Sequence, residues 1–304
     1  MSLRQIARLA ICLVASAMAA VSPATAQPNE RSLWVSVVDQ SGAPVTGLGP
    51  RDFIVREDNV SREILRVVPA EEPMQIALLV DTSQAIRSDV GNLRNALGPF
   101  VAALTKPNDA GRRNDIALIG FGERPTILTD YTSDPAALQK GINRIFATPG
   151  SGPYLVDAIE EVVKGFSKRE SPRPVIVAIG RETHDLSYRR YDQVLPALKE
   201  SAAPLYALML GEPRDDISDE GRSLQIVLDR GTSESGGRRD QLLTSMALDT
   251  RLTQLANQLT HQYRVVYSRP QSLIPPEKIT VTAANPQLTA RGTPVKEKNE
   301  SRKP

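Results

Sequence analysis

The chain has 304 residues, of which 37 are Lys or Arg and 35 are Asp or Glu, so its charge is nearly balanced. This balance argues against a general binder of nucleic acid or of membrane surfaces, because both need an excess of basic residues. Aromatic residues make up 4% of the chain and supply few platforms on which bases or sugars would stack.

Residues 1–26 have the pattern of a secretory signal peptide. Two arginines precede an apolar run over residues 9–21, and the small residues 24–26 predict cleavage after Ala26. The run is shorter than the ~20 residues of a membrane-spanning helix, so we expect export to the periplasm or the medium and no membrane span. The sole cysteine, Cys12, lies in this leader, so the mature chain has neither a disulfide nor a thiolate ligand.

Residues 31–70 alternate apolar and polar side chains between turn-forming residues, which predicts a small antiparallel β module. About 40 residues bury too little core to be stable alone. We therefore expect two short strands within residues 277–292 to complete it as a sandwich-like unit. Residues 293–304 are charged and flanked by prolines, and they are predicted to form a disordered tail.

Between residues 74 and 268, short apolar strands alternate with amphipathic helices. The predicted strands are residues 76–80, 116–121, 126–128, 175–179 and 205–210, with 263–267 as the closing strand. Alternation of this kind predicts an α/β fold with a doubly wound, mostly parallel, Rossmann-like sheet. Ligands of such sheets bind at the carboxyl ends of the strands, where the connecting loops meet.

The first predicted central strand ends in Asp81, Thr82, Ser83, Gln84 and Ala85. This sequence resembles Asp-x-Ser-x-Ser, the first part of the metal-ion-dependent adhesion site of von Willebrand factor type A domains. The likeness extends over about residues 74–267. The leading β module and the ending at residues 262–267 resemble the bacterial subfamily of these domains that was first described in acidobacteria.

The resemblance implies a site for Mg²⁺ or Ca²⁺ built from oxygen ligands, with one coordination position open for a carboxylate of the partner. Asp81 and Ser83 match two of its five ligand positions. At the other three, this sequence has Ala85 for a serine, Pro153 for a threonine and Arg181 for an aspartate. We therefore predict a degenerate site without a cofactor, in which Asp81 and Ser83 would be the ligands of any metal that did bind.

Two interpretations of this degenerate site stay open. In one, Arg181 replaces the metal, pairs with Asp81 and presents its donors to an acidic partner, with Ser151 and His184 on the same rim. In the other, the site is a structural remnant held by a salt bridge. A shifted alignment would still offer metal-binding oxygens, from Thr148, Ser151, Glu182 or Asp185.

A catalytic triad of Ser83, His184 and Asp185 is also conceivable from the sequence. Sequence spacing does not establish the contacts of ~3 Å that a triad needs, and no Gly-x-Ser-x-Gly elbow surrounds Ser83. A serine-type hydrolase is therefore the remote alternative.

The sequence thus predicts an exported, non-enzymatic module that binds a protein partner without a metal. Binding is assigned to the loops at the carboxyl edge of the sheet, through Asp81, Ser83, Arg181, Ser151 and His184. The alternative is an adhesion module that depends on Mg²⁺ or Ca²⁺.

Overall fold

The computed structural model describes residues 29–213, 216–270 and 274–296. The predicted signal peptide lies outside these residues, as does most of the predicted tail. No helix within the described ranges is both long enough and apolar enough to cross a membrane.

The main sheet has six strands in the order β10-β9-β8-β5-β6-β7. All neighbouring pairs are parallel except the pair of β6 with β7. Its strands are β5 (Gln75–Val80), β6 (Asp115–Gly120), β7 (Thr126–Thr132), β8 (Pro174–Arg181), β9 (Leu205–Leu210) and β10 (Arg238–Leu242). The predicted α/β fold with a mostly parallel sheet is confirmed.

Seven α-helices connect the strands. They are α1 (Val90–Leu104), α2 (Pro135–Ile142), α3 (Leu155–Arg169), α4 (Tyr191–Ser201), α5 (Asp219–Ile226), α6 (Thr232–Ser235) and α7 (Leu248–Thr260) among the described residues. A π-helical turn at Val227–Gly231 joins α5 to α6. Three-residue 3-10 turns lie at Pro50–Asp52, Gln84–Ile86 and Ser245–Ala247.

The alternating side chains of the central strand enter two separate cores. Ile76, Leu78 and Val80 point to one face, where α1, α2 and α7 cover them. Ala77 and Leu79 point to the other face, where α3, α4 and α5 pack. Because both faces are covered, β5 is apolar at every position after Gln75, as expected of a buried parallel strand.

Seven further strands form two antiparallel sheets. The order of the first is β13-β1-β11-β4, and the order of the second is β12-β2-β3. The strands are β1 (Asn29–Val38), β2 (Phe53–Glu57), β3 (Val60–Arg62), β4 (Ile64–Pro69), β11 (Tyr263–Arg269), β12 (Ile279–Ala283) and β13 (Thr289–Pro294). They enclose a third core, to which Leu33, Val35, Phe53 and Tyr267 belong.

Two features of this region differ from the sequence prediction. The strand expected to close the main sheet, β11, instead lies between β1 and β4, and β10 is the last strand of the main sheet. The predicted tail began at residue 293, but Thr293 belongs to β13 and pairs with Trp34. A short apolar run in the sequence indicates a buried strand but does not indicate which sheet the strand joins. This explains the first difference.

A buried arginine joins the antiparallel sheets to the main sheet. Arg173 precedes β8, and its guanidinium donates to the carbonyl of Glu72 at 2.6 Å and to Oε1 of Gln262 at 2.6 Å. The same group lies 4.9 Å from the ring centre of Trp34 in β1. These contacts bring residues from both regions onto one cation, at the amino edge of the main sheet.

Candidate functional site

The loops after β5, β6 and β8 meet at the carboxyl edge of the main sheet, as the resemblance implies. The loop before α3 also lies on this edge, because Thr148 N donates to the carbonyl of Thr82 at 2.9 Å and Tyr154 N donates to that of Phe121 at 2.8 Å. We call the loops of this edge, including those after β9 and β10, the rim.

Asp81 is fully buried and has both carboxylate oxygens occupied. Oδ1 accepts from the backbone N–H of Ser83 at 2.7 Å, and Oδ2 accepts from the backbone N–H of Arg181 at 3.1 Å. Burial raises the pKa of Asp81, although these hydrogen bonds act in the opposite direction. Ser83 is equally buried, and its Oγ accepts from Ala85 N at 3.3 Å. The carboxylate therefore serves to fix the ends of two neighbouring strands.

The expected pairing of the Arg181 side chain with Asp81 is wrong. The guanidinium turns to Asp89, immediately before α1, with Nη1 at 2.6 Å from Oδ2. Only the backbone amide of Arg181 reaches Asp81. Asp89 is largely buried immediately before α1, and the ion pair with Arg181 gives its carboxylate a charged partner. The side chain of Arg181 remains 38% exposed.

The donors at this position do not suit a divalent cation. Asp81 is the one carboxylate at the ligand positions, and Ala85 and Arg181 supply no side-chain oxygen at theirs. Pro153 has no side-chain oxygen, and its carbonyl accepts from Leu186 N at 2.8 Å. In the ranges that the structure covers, no group of three or more His, Cys, Asp or Glu residues is arranged to hold a metal.

The alternative oxygen donors are engaged elsewhere. Asp185 is buried and accepts from Leu155 N at 2.8 Å, which places it at the start of α3, and from Ser187 N at 3.0 Å. Burial raises the pKa of Asp185 to about 6. Glu182 pairs with Arg239 at 3.1 Å.

Ser151 and Thr148 belong to the loop before α3. The Ser151 hydroxyl donates to the carbonyl of Thr148 at 2.9 Å, and Ser151 is half-buried. Neither side chain meets Asp81 in a described hydrogen bond. Both residues therefore lie on the rim as part of its backbone framework.

The conceivable triad is not assembled. His184 places Nδ1 2.6 Å from Oδ2 of Asp216, in the loop after β9, whereas Asp185 faces the start of α3. The hydroxyl of Ser83 is buried against Ala85 N. The hydrogen bond of Asp216 with Ser218, followed by the contact with His184, lowers the pKa of Asp216 to about 2. His184, Tyr154, Leu186 and Tyr188 help to line a rim pocket of about 500 Å³.

Sequence reasoning missed a series of apolar side chains that project from the rim. Their exposed fractions are 62% for Phe146, 84% for Tyr188, 88% for Ile217, 73% for Leu243 and 81% for Met246. They lie in the segments after β8, β9 and β10 and in the loop before α3, which contacts the residues that follow β5 and β6. The available signal was the occurrence of single large apolar residues in the segments that connect the strands.

Residues 76–180 match the family model of the von Willebrand factor type A domain. This segment is a von Willebrand factor type A domain. The predicted resemblance to this family is confirmed for these residues. Domains of this family are commonly protein-interaction modules. No curated protein matches the chain in sequence.

Solved structures share this fold at low sequence identity. Proximal thread matrix protein 1 from the mussel byssus, described with a zinc-occupied MIDAS motif, is 14% identical, with 67% of this chain and 50% of that chain covered and a TM-score of 0.50. A von Willebrand factor type A protein from Catenulispora acidiphila is 10% identical, with coverages of 90% and 74% and a TM-score of 0.49. The corresponding domain of the pilus tip protein Mfa5 from Porphyromonas gingivalis is 9% identical, with coverages of 62% and 96% and a TM-score of 0.47.

Proposed function

We propose that this protein is an exported, non-enzymatic module that binds another protein through its rim, without a metal ion. The proposal combines the membership of the domain in a family of interaction modules with the surface of this particular chain. Its main support is the set of exposed apolar side chains at the carboxyl edge of the sheet.

Exposed apolar side chains in several loops of one edge favour a binding surface. Single exposed apolar residues are normal in proteins, but aromatic residues and methionine are enriched at interfaces. Phe146, Tyr188 and Met246 all lie on the rim and are at least 62% exposed. The guanidinium of Arg94 stacks 4.5 Å from the ring centre of Phe146, so this ring has a defined position before a partner arrives.

Arg181 gives the rim a preference for an acidic group. A guanidinium has five N–H donors, and Asp89 binds Arg181 through Nη1 alone. The remaining donors sit on a side chain that is 38% exposed. A carboxylate of the partner would meet these donors at the edge where the family's metal ion offers a coordination position, so the acidic preference is retained without the ion.

The binding role is tested by changing the exposed rim side chains together. The triple variant Phe146→Ser, Tyr188→Ser, Met246→Ser is compared with Val60→Ser, which removes a 55% exposed apolar side chain from β3. The wild type and the two variants, all tagged, are used to recover partners from the exported fraction of the source organism. We expect a protein that the wild type and the Val60 variant retain and the triple variant loses. Equal recovery by all three proteins contradicts binding through the rim.

Metal independence is tested by thermal unfolding of the full chain in Mg²⁺, in Ca²⁺ and in chelator. We expect the same Tm in all three, because three of the five ligand positions, at Ala85, Pro153 and Arg181, supply no side-chain oxygen. A stabilisation that saturates with metal concentration would contradict the proposal and favour the metal-dependent adhesion module.

A further inference from the structure

A cleft of about 930 Å³ lies between the antiparallel sheets and the amino edge of the main sheet, opposite the rim. Its walls come from the end of α4, from α6 with the start of β10, and from the segments that contain β12 and β13. The volume is at the upper end of the range that ligand sites occupy. No residue of the proposed rim surface lines this cleft, so its function is separate from that of the rim.

Three strands at the ends of their sheets meet at this cleft. β10 ends the main sheet, β13 ends the first antiparallel sheet, and β12 ends the second. An end strand has one row of backbone N–H and C=O groups without a partner strand, and it is a template for the addition of another strand.

The three end strands converge at Gly292 in β13. A Cβ atom at Gly292 would lie 2.5 Å from Cγ1 of Val281 in β12, and a Cβ at Gly236 would overlap the carbonyl oxygen of Gly292. Thr293 Oγ1 also donates to the carbonyl of Ser235 at 2.7 Å. The segment before β10 therefore covers this part of β13, and β13 packs against β12 at Val281 without pairing with it as a strand.

The free edge of β12 faces away from β2. Lys278 O accepts from Asp58 N, and Ala284 N donates to the carbonyl of Asp52, so the residues in register with these bonds face β2. Hydrogen bonding alternates along an antiparallel pair, so the backbone groups of Ile279, Val281 and Ala283 point to the other side. Within the described chain, no strand pairs with that side.

The cleft has an excess of positive charge. Its basic lining residues are Lys199, Arg238, Arg239, Lys278 and Arg291, and its acidic ones are Glu234 and Glu277. Arg238 pairs with Asp240, and Arg239 pairs with Glu182 and Asp229. Lys278 and Arg291 form no ion pair with any residue that the structure describes.

We propose that the cleft binds an extended acidic peptide segment as an additional strand on β12. The backbone of Ile279 and Val281, which line the cleft, would supply the hydrogen bonds, while Lys278 and Arg291 would meet carboxylates of the peptide. Lys199, whose Nζ donates to the carbonyl of Glu277 at 2.9 Å, would place a third charge at the mouth. The ligand class follows from the open edge together with the unpaired cations.

The test uses the full chain and a fluorescent peptide of about seven residues that alternates valine and glutamate, which is the length of a typical strand. Fluorescence anisotropy should show saturable binding. A peptide with lysine in place of glutamate tests the charge, and the acidic peptide with a central proline tests strand pairing, because proline cannot donate to a ladder. We expect both to bind at least about tenfold more weakly.

The double variant Lys278→Gln, Arg291→Gln is compared with Lys140→Gln, Arg124→Gln, which removes the same charge from exposed positions of α2 and of the β6–β7 loop. We expect about tenfold weaker binding in the first variant and none of that loss in the second. Equal loss in both variants, equal binding of the proline peptide, or no binding of the acidic peptide overturns the proposal. The rim triple variant should bind the peptide normally, so the outcome is independent of the rim.

Discussion

The two edges of the main sheet use their buried polar groups in different ways. At the rim, Asp81 binds backbone amides of its own and a neighbouring strand, and the side chains around it are free to face a partner. At the amino edge, Arg173 and Gln262 bind across to other sheets, and glycines allow close backbone contact. The rim is therefore a surface on a stable framework. At the amino edge, the main sheet is connected to the antiparallel sheets, and we call this region of contact the joint.

The joint should be the part most sensitive to added volume. A Cβ at Gly236 would overlap the carbonyl oxygen of Gly292 in β13, which is backbone and cannot rotate away, and its φ of +87° disfavours any side chain. We expect Gly236→Ala to lower the free energy of unfolding by about 3 kcal/mol, measured by denaturant titration. Gly91→Ala is the control, because nothing lies within 4 Å of its Cβ in α1. Similar stabilities of the two variants would contradict a tight joint.

Removal of the arginine at the joint should have the next largest effect. Arg173→Met leaves Oε1 of Gln262 and the carbonyl of Glu72 without their donor and removes the cation beside Trp34. We expect a loss of about 2–3 kcal/mol in the free energy of unfolding. Trp34 is the only tryptophan, so its fluorescence reports on this position directly. An unchanged emission spectrum and unchanged stability would argue that the sheets associate without this cation.

At the rim, Asp81 and Arg181 should have separable effects. Asp81→Ala leaves two buried N–H groups without acceptors and should cost about 2 kcal/mol of unfolding free energy. Arg181→Gln loses a partly exposed pair and should cost less than about 1 kcal/mol, but it should weaken partner binding. Denaturant titration and partner recovery are measured on both variants. Equal stability losses with unchanged partner recovery would favour a structural remnant.

The smallest expected effect is a pH dependence from Asp185. Its pKa is about 6 in the folded chain and lower in the unfolded chain, so the folded state binds the proton more tightly. The stability that it contributes is complete below its unfolded pKa and is lost as pH rises through about 6. Asp185→Asn keeps an acceptor for Leu155 N and does not titrate. Its free energy of unfolding relative to that of the wild type should therefore rise by about 1 kcal/mol as the pH increases from 5 to 7.5. A constant difference across this range would contradict the raised pKa.

The sequence predicted the parts of the fold in which burial controls residue choice. β5 and β8 are continuous apolar runs because helices cover both faces, so their positions were clear. β10 was missed because its sequence Arg-Arg-Asp-Gln-Leu is polar, as an end strand that uses ion pairs allows. Periodicity reports burial and does not report which sheet a strand joins, so β11 was placed in the wrong one.

For the site, sequence alignment identified the substituted ligand positions but not where the side chains point. Arg181 and Asp81 were expected to pair because they occupy two ligand positions of one ion and carry opposite charges. In the structure, Asp81 accepts from two backbone amides, and the guanidinium of Arg181 pairs with Asp89, which lies 92 positions away in the sequence. Which carboxylate the guanidinium of Arg181 pairs with depends on the local geometry of the loops. Composition and residue spacing do not contain that information.

The pairing of β1 has a consequence for the order of folding. This strand precedes the other described strands in the sequence, yet its partners β11 and β13 contain residues 263–269 and 289–294. It stays without a partner strand until those residues have been synthesised, and contacts between such distant segments form slowly. In refolding, we therefore expect the main sheet and its helices to form first. The antiparallel sheets around Trp34 should form in the last and slowest phase.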